Sequence, residues 1–155
     1  NPEKHYATTA EEIYKDIPDL DAFVAGVGTG GTVIGISKSL KKKNSNIKTI
    51  AVEPATSPVL SGGNPGAHKI QGIGAGLVPS IYEKEFVDEI IKVEDKDAFD
   101  TAKAFADKEG VLVGISAGAA IYAAIEEAKK LGKGKKVLAM APDGGEKYIS
   151  MGLFD

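Results

Sequence analysis

The chain has no cysteine. Disulfides, thiolate metal sites and a cysteine nucleophile are therefore excluded at the outset. Histidine is nearly as scarce, with His5 and His68 the only two in 155 residues. Neither has a second histidine or a carboxylate pair at metal-ligand spacing, so no metal site is expected. Long apolar runs are missing as well. The longest are of strand length, so no stretch can cross a bilayer as a helix, and no membrane association is expected. No basic segment followed by an apolar one opens the sequence, and a reducing, cytoplasmic setting is expected. Repeats and low-complexity segments are absent. A basic surplus is lacking too, since 19 Lys/Arg against 22 Asp/Glu leave a net charge of −3. No nucleic-acid partner is expected, because such affinity rests on a basic face that neutralises phosphates. The local lysine runs, Lys41 with Lys42 and Lys43, Lys129 with Lys130, and Lys135 with Lys136, read as solvated. The first two sit at predicted helix ends, where the dipole favours cations.

What is present is the material of one soluble α/β domain. Hydrophobic residues make up 43% and charged residues 26%, enough for a real core. The opening Asn1-Pro2, without an initiator methionine, reads as the start of a piece of something longer. Thr9 and Glu12 have capping-box spacing and predict a short helix to about Lys15, stopped by Pro18-Asp19. Residues 22–27 form a continuous apolar run, as in a strand buried on both faces. A helix is predicted over 30–42, with Val33, Ile36 and Leu40 on one face, and a strand over 47–53. Residues 57–79 are rich in Gly and Pro and read as a long, functional loop. A strand over 87–93, a helix over 95–109, a short apolar run 111–113, a helix over 116–131 and a strand over 136–141 complete the chain. Strands alternating with helices of this length imply βαβ units. The expected fold is α/β, three αβα layers around a mainly parallel sheet. Ligands in such sheets bind beyond the carboxyl ends of the strands. Three Gly-rich segments fall there: 26–32, 114–118 and 142–145.

The first of these is Gly26-Val27-Gly28-Thr29-Gly30-Gly31-Thr32. It follows a strand and opens a helix, whose N-terminus offers unpaired N–H groups and partial positive charge. Glycines let that backbone approach an anion closely, and the threonines add hydroxyl donors. A bound phosphate is the natural reading; a tight turn is the plainer alternative. Gly26, Gly28 and Gly31 also satisfy G-x-G-x-x-G, and Glu53 ends the next strand roughly where a dinucleotide fold carries its ribose acid. An NAD(P)-binding Rossmann domain is therefore a rival. Against it, hydroxyl donors suit a terminal phosphate better than a pyrophosphate. Glu53-Pro54 reads equally as a strand end with a stop.

The second segment, Gly114-Ile115-Ser116-Ala117-Gly118, matches the G-x-S-x-G nucleophile elbow. A hydrolase of that type needs a histidine after the serine, and both histidines precede Ser116, so an esterase or protease is rejected. Ser116 reads as an N-cap that could also meet a ligand. His68 reads as a surface or packing residue, and Asp143 as a turn residue.

Taken together, the motifs resemble one family. The run from Val27 to Thr32 is similar to the phosphate loop of pyridoxal 5'-phosphate (PLP) enzymes of fold-type II. Val52-Glu53-Pro54, Ser57-Pro58-Val59-Leu60-Ser61-Gly62-Gly63 and His68-Lys69-Ile70-Gln71-Gly72-Ile73-Gly74-Ala75-Gly76 narrow the resemblance to the cysteine synthase, or O-acetylserine sulfhydrylase, family. Gly114-Ile115-Ser116-Ala117-Gly118-Ala119 and Pro142-Asp143-Gly144-Gly145-Glu146-Lys147-Tyr148 complete it, in the family's order over essentially the whole chain. The resemblance implies part of the larger domain of a fold-type II enzyme, with PLP as cofactor. It implies that Gly28, Thr29, Gly30, Gly31 and Thr32 bind the PLP phosphate and that Ser116 hydrogen-bonds the pyridine nitrogen. Gly72, Ile73 and Gly74 would line the substrate side.

A neutral hydroxyl on the ring nitrogen would make PLP a milder electron sink than an aspartate would. That suits β-elimination of acetate from O-acetyl-L-serine followed by addition of sulfide, giving L-cysteine. The family implies a homodimer, and a cleft that also takes the C-terminal tail of serine acetyltransferase. Two positions depart from its pattern: Ala117 where a second serine is common, and Gly144 where Ser or Thr is common. No lysine here stands in the family's Schiff-base context, Ser-x-Lys-Asp/Asn. The Schiff-base lysine is expected upstream of Asn1, so no catalytic residue is assigned in this chain. Taken alone, the chain is expected to be an inactive phosphate- or PLP-binding module.

Overall fold

The computed structural model describes residues 2–27, 31–70, 73, 74, 76, 84–110, 114–141 and 147–152. Their order is α1 (Pro2–Asp16), β1 (Ala22–Gly26), α2 (Gly31–Lys43), β2 (Lys48–Pro54), β3 (Glu89–Val93), α3 (Asp95–Glu109), α4 (Ile115–Leu131), β4 (Lys136–Ala141) and β5 (Lys147–Gly152). Short 3₁₀ turns lie at Val59–Ser61 and Lys84–Phe86.

The strands form one sheet in the order β3-β2-β1-β4-β5. β1 pairs parallel with β2 and β4, and β2 pairs parallel with β3. β5 adds an antiparallel edge against β4. The mainly parallel α/β expectation holds. β5 was not foreseen, because the sequence placed Lys147-Tyr148 in a turn motif and read no strand after 141.

Alternation along the central strands builds two cores. Ala22, Val24, Ile50, Val52, Val137 and Ala139 face α3 and α4. Phe23, Ala25, Ala51, Leu138 and Met140 face α1 and α2. Both faces of the sheet are thus covered, and the architecture is three-layered. Fully buried side chains such as Phe23, Ile36 and Leu40 each contribute about 1.5–3 kcal/mol. α4 lies close to its neighbours because its inward positions are alanines: Ala119, Ala120, Ala123, Ala124 and Ala128. At Gly118, a Cβ would overlap the carbonyl oxygen of Ala98 and crowd Ala102 on α3, so this helix contact admits only glycine.

Several boundaries differ from expectation. α1 begins at Pro2, and Thr9 is buried in its middle beside Ala10 and Ile13. It therefore cannot be an N-cap. Proline is at home in a first helical turn, and the face that packs on α2 extends the helix past the capping-box signal. Helix α1 does stop ahead of Pro18. β3 starts at Glu89 rather than Val87, because Val87 N–H is used in the preceding 3₁₀ turn, on Lys84 O. The segment 111–113 lies outside the described residues.

The amino end of the sheet is held by charge. Lys48 Nζ lies 2.8 Å from Glu127 Oε2 and 3.4 Å from Glu89 Oε2. Lys130 meets Glu89 and, at 3.6 Å, Glu127. Lys41 bridges Asp88 (2.7 Å) and Ile47 O (3.0 Å), while Asp88 also accepts Thr49 N–H at 2.8 Å. The first two lysine runs do sit at helix ends, but Lys41, Lys130 and, at the start of β4, Lys136 are ion-paired rather than simply solvated.

Candidate functional site

β1 is the middle strand, and the chain leaves it in two senses. It first passes to β2 and β3 on one side, and later crosses to β4 on the other. The carboxyl end of β1 is therefore a topological switch point, where open α/β sheets bind ligands. Three features meet there.

The first is the N-terminus of α2 at Gly31. Val27, just past β1, is buried and donates its N–H to Val52 O at 3.1 Å. Gly31 and Thr32 thus open a helix directly beyond the strand end, with its free N–H groups and positive dipole end. Gly28, Thr29 and Gly30 lie outside the described residues.

The second is the N-terminus of α4. This helix runs back toward Gly132 and the start of β4, so its first turn lies at the carboxyl end of the parallel strands. Its N-cap is Gly114 (φ −72°, ψ 169°), which makes no side-chain capping bond. The expected cap at Ser116 is therefore corrected: Ser116 stands within the first turn and is 2% exposed. Glycine is among the residues accepted at an N-cap, at a cost of only a few tenths of a kcal/mol. α2 and α4 cover opposite faces of the sheet, so their N-termini flank the strand end from both sides.

The third is the segment around Ile73 and Gly74. Gly74 N–H donates to Val27 O at 3.1 Å, and Ile73 is buried in the α4-side core. Gly74 has φ +64°, and a Cβ there would meet Pro54 Cγ at 2.5 Å and His68 Nε2 at 2.7 Å. Both the left-handed backbone and the close approach require glycine. Gly72 and Gln71 lie outside the described residues, as do Asp143 and Gly144.

Two residues that sequence reasoning left as background turn out to shape this region. Glu53 is 2% exposed. Its Oε1 accepts Leu60 N–H at 2.8 Å, and its Oε2 accepts Ser61 N–H at 3.0 Å and the Ser61 hydroxyl. Both oxygens are committed to the 3₁₀ turn, so Glu53 is not presented to a ribose, and the dinucleotide alternative loses its acid. His68 Nδ1 accepts Ile70 N–H at 3.1 Å, and Nε2 lies 2.6 Å from Gly74 O. With both ring nitrogens on backbone, His68 is no general base for Ser116, in keeping with rejection of the hydrolase elbow. A polar loop residue two positions from a buried Ile70 was the one available hint.

Around them the loop is pinned. Thr56 Oγ1 donates to Ala67 O at 2.7 Å, buried Ser57 Oγ accepts Gly66 N–H at 3.2 Å, and Asp95 accepts Lys69 N–H at 3.1 Å. Among the described residues no group of three or more His, Asp or Glu could hold a metal ion, and no helix is long and apolar enough to cross a membrane.

The N-termini of α2 and α4 at the carboxyl end of the sheet, with the buried Ser116, can take an anionic ligand. Comparison with known proteins agrees. The chain is 52% identical to a cysteine synthase of Staphylococcus aureus strain Mu50, over 99% of this chain and 50% of that protein. It therefore spans about half the length of the curated relatives it matches. A crystal structure of cysteine synthase from Entamoeba histolytica superposes with a TM-score of 0.79 at 49% identity, covering 81% of this chain and 38% of that one. A hydrogen sulfide-producing enzyme from Fusobacterium nucleatum superposes with a TM-score of 0.83 at 49% identity, covering 88% and 47%. The sequence pattern of the pyridoxal-phosphate dependent enzymes matches residues 1–143, and the chain belongs to that family.

Proposed function

We propose that this chain is the phosphate-binding, C-terminal part of a cysteine synthase, a single α/β domain of a longer two-domain enzyme. The intact enzyme would make L-cysteine and acetate from O-acetyl-L-serine and sulfide. The observation that carries this reading is the meeting of α2's N-terminus, Ser116 and the Ile73-Gly74 segment at one strand end, in a chain 52% identical to a cysteine synthase. Gly28, Thr29, Gly30, Gly31 and Thr32 bind the cofactor phosphate through backbone N–H groups and hydroxyls, aided by the α2 dipole. Ser116 donates its hydroxyl to the ring nitrogen and adds no charge there. Gly72, Ile73 and Gly74 bound the substrate side, where the absence of side chains at 72 and 74 lets a small amino acid approach. Bound PLP supplies the electron sink for elimination and replacement at the substrate β-carbon. The lysine that carries it belongs to the other part of the enzyme. The assembled enzyme is read as a cytoplasmic homodimer whose cleft also accepts the C-terminal tail of serine acetyltransferase.

Titration of the chain with PLP and with NADPH, followed by absorbance, tests this. Weak PLP binding that inorganic phosphate competes away, and that Ser116→Ala alters in its absorption band without unfolding the chain, is expected. Borohydride should trap no lysine adduct. A lysine-linked adduct mapped to this chain, or tight NADPH binding with no response to PLP, would overturn the assignment.

A further inference from the structure

We propose that His68, as the neutral tautomer protonated on Nε2, is the positioning residue that ties Ile73 and Gly74, on the proposed substrate side, to the strand end that precedes the phosphate loop. The substrate role of that segment rests on the function proposed above; the clamp itself does not. The tautomer follows from the partners. Ile70 N–H can only donate, so Nδ1 must carry a lone pair; Gly74 O can only accept, so Nε2 must carry the proton. One ring therefore closes a loop from residue 68 to residue 74, gripping it on both sides of Gln71 and Gly72. The far end of the grip is fixed in turn, because Gly74 N–H bonds the carbonyl of Val27, the residue before Gly28.

The near end is equally held. Asp95 at the start of α3 accepts Lys69 N–H, Thr56 holds Ala67 O, and Ser57 holds Gly66 N–H. Ile70 and Ile73 are buried at 0% and 5% exposure and anchor both flanks in the α4-side core. The contact is also exclusive, since a Cβ at residue 74 would strike Nε2. Val27 at the strand end, Gly74 and Ile70 are thus joined through a single imidazole and a single peptide.

Two measurements test this. In the chain, long-range ¹⁵N NMR of the imidazole should show a protonated Nε2 and a bare Nδ1. Amide exchange at Ile70 and Gly74 should rise about tenfold in His68→Ala, the loss of one net hydrogen bond, with the β1 and β2 amides unchanged. His68→Asn can still accept Ile70 N–H but cannot reach Gly74, so it should restore protection at Ile70 only. In the intact enzyme, His68→Ala should raise KM for O-acetyl-L-serine severalfold, with a smaller fall in PLP affinity passed on through Gly74 and Val27. A proton on Nδ1, unchanged exchange at both amides, or loss of protection spread evenly over the sheet would each overturn the clamp. Unchanged KM in His68→Ala would overturn its substrate-positioning role. An intact wild-type enzyme that ignores O-acetyl-L-serine, yet shows the tautomer and the protection, would sink the functional reading and leave the clamp standing.

Discussion

The two ends of the sheet solve different problems with different chemistry. At the amino end, carboxylates meet lysines: Glu127 and Glu89 with Lys48 and Lys130, Asp88 with Lys41. At the carboxyl end, carboxylates are used on backbone N–H groups instead. Glu53 takes Leu60 and Ser61, and Asp95 takes Lys69. The N-termini of α2 and α4 and the buried Ser116 also lie at that end. The difference teaches where strength is spent. Ion pairs stitch α4 to β2 and β3 at the end where nothing need bind. At the other end, among the described residues, the Glu53 and Asp95 carboxylates are spent on loop N–H groups and order the loops. Stability and binding should therefore be separable by mutation.

The sharpest break of that separation is Lys48→Met. Among the described residues it leaves the wholly buried Glu127 with only Lys130, at 3.6 Å. A loss of about 2–3 kcal/mol is expected, less than for a fully buried pair because Lys48 is itself part-exposed. Urea unfolding should register this loss with PLP affinity unaltered; a parallel fall in affinity would mean that the two ends are coupled. Gly74→Ala attacks the other end. Positive φ and overlap with Pro54 and His68 should cost about 1–3 kcal/mol, and here PLP or phosphate binding should weaken as well. Equal binding in this variant would remove the mechanical link between residue 74 and the phosphate loop.

Acid should act on the amino end first. Burial raises the Asp88 and Glu89 carboxyls, but Lys41 and Thr49 on the one, and Lys130 and Lys48 on the other, outweigh it and hold both below the usual carboxylate range. With folded values lowered, their contribution is complete above the unfolded carboxylate pKa of about 4, and is lost as pH falls through that value and on through the folded ones. Thermal melts should therefore stay level down to about pH 5 and then drop, and the drop should shrink in the Asp88→Asn, Glu89→Gln double variant. An unchanged acid slope in that variant would assign the effect elsewhere. The smallest effect belongs to Lys96→Ala. Its partner Asp100 is one turn along α3, and both are exposed, so the melting temperature should not move measurably.

Much of this was legible in the chain. The continuous apolar run at β1, the helical spacing in α3 and the strand at 136–141 appear where the pattern placed them, because strands buried on both faces and amphipathic helices leave unambiguous periodicities. The glycine loop marked the start of α2 for a local reason, and α2 does begin at Gly31. Elsewhere the local signal misled. Thr9 and Glu12 have the spacing of a capping box but sit inside α1, since packing on α2 outweighs a cap of about 1 kcal/mol. Ser116 looked like an N-cap and is a buried residue of the first turn.

What the sequence by itself determined is the order of strands and helices up to β4, the glycine-rich turns at the strand ends, and the family. Each is written in periodicity or in glycine, which act over a few residues. Only the tertiary structure decided the partners. That Glu53 serves Ser61 rather than a ribose, that Glu127 finds Lys48 79 residues away, that β5 folds back on β4, and that the two ring nitrogens of His68 hold Ile70 and Gly74 depend on distances set by chain packing. Hydrogen bonds and ion pairs act over a few ångströms, and nothing in residue spacing states which groups the fold will bring that close.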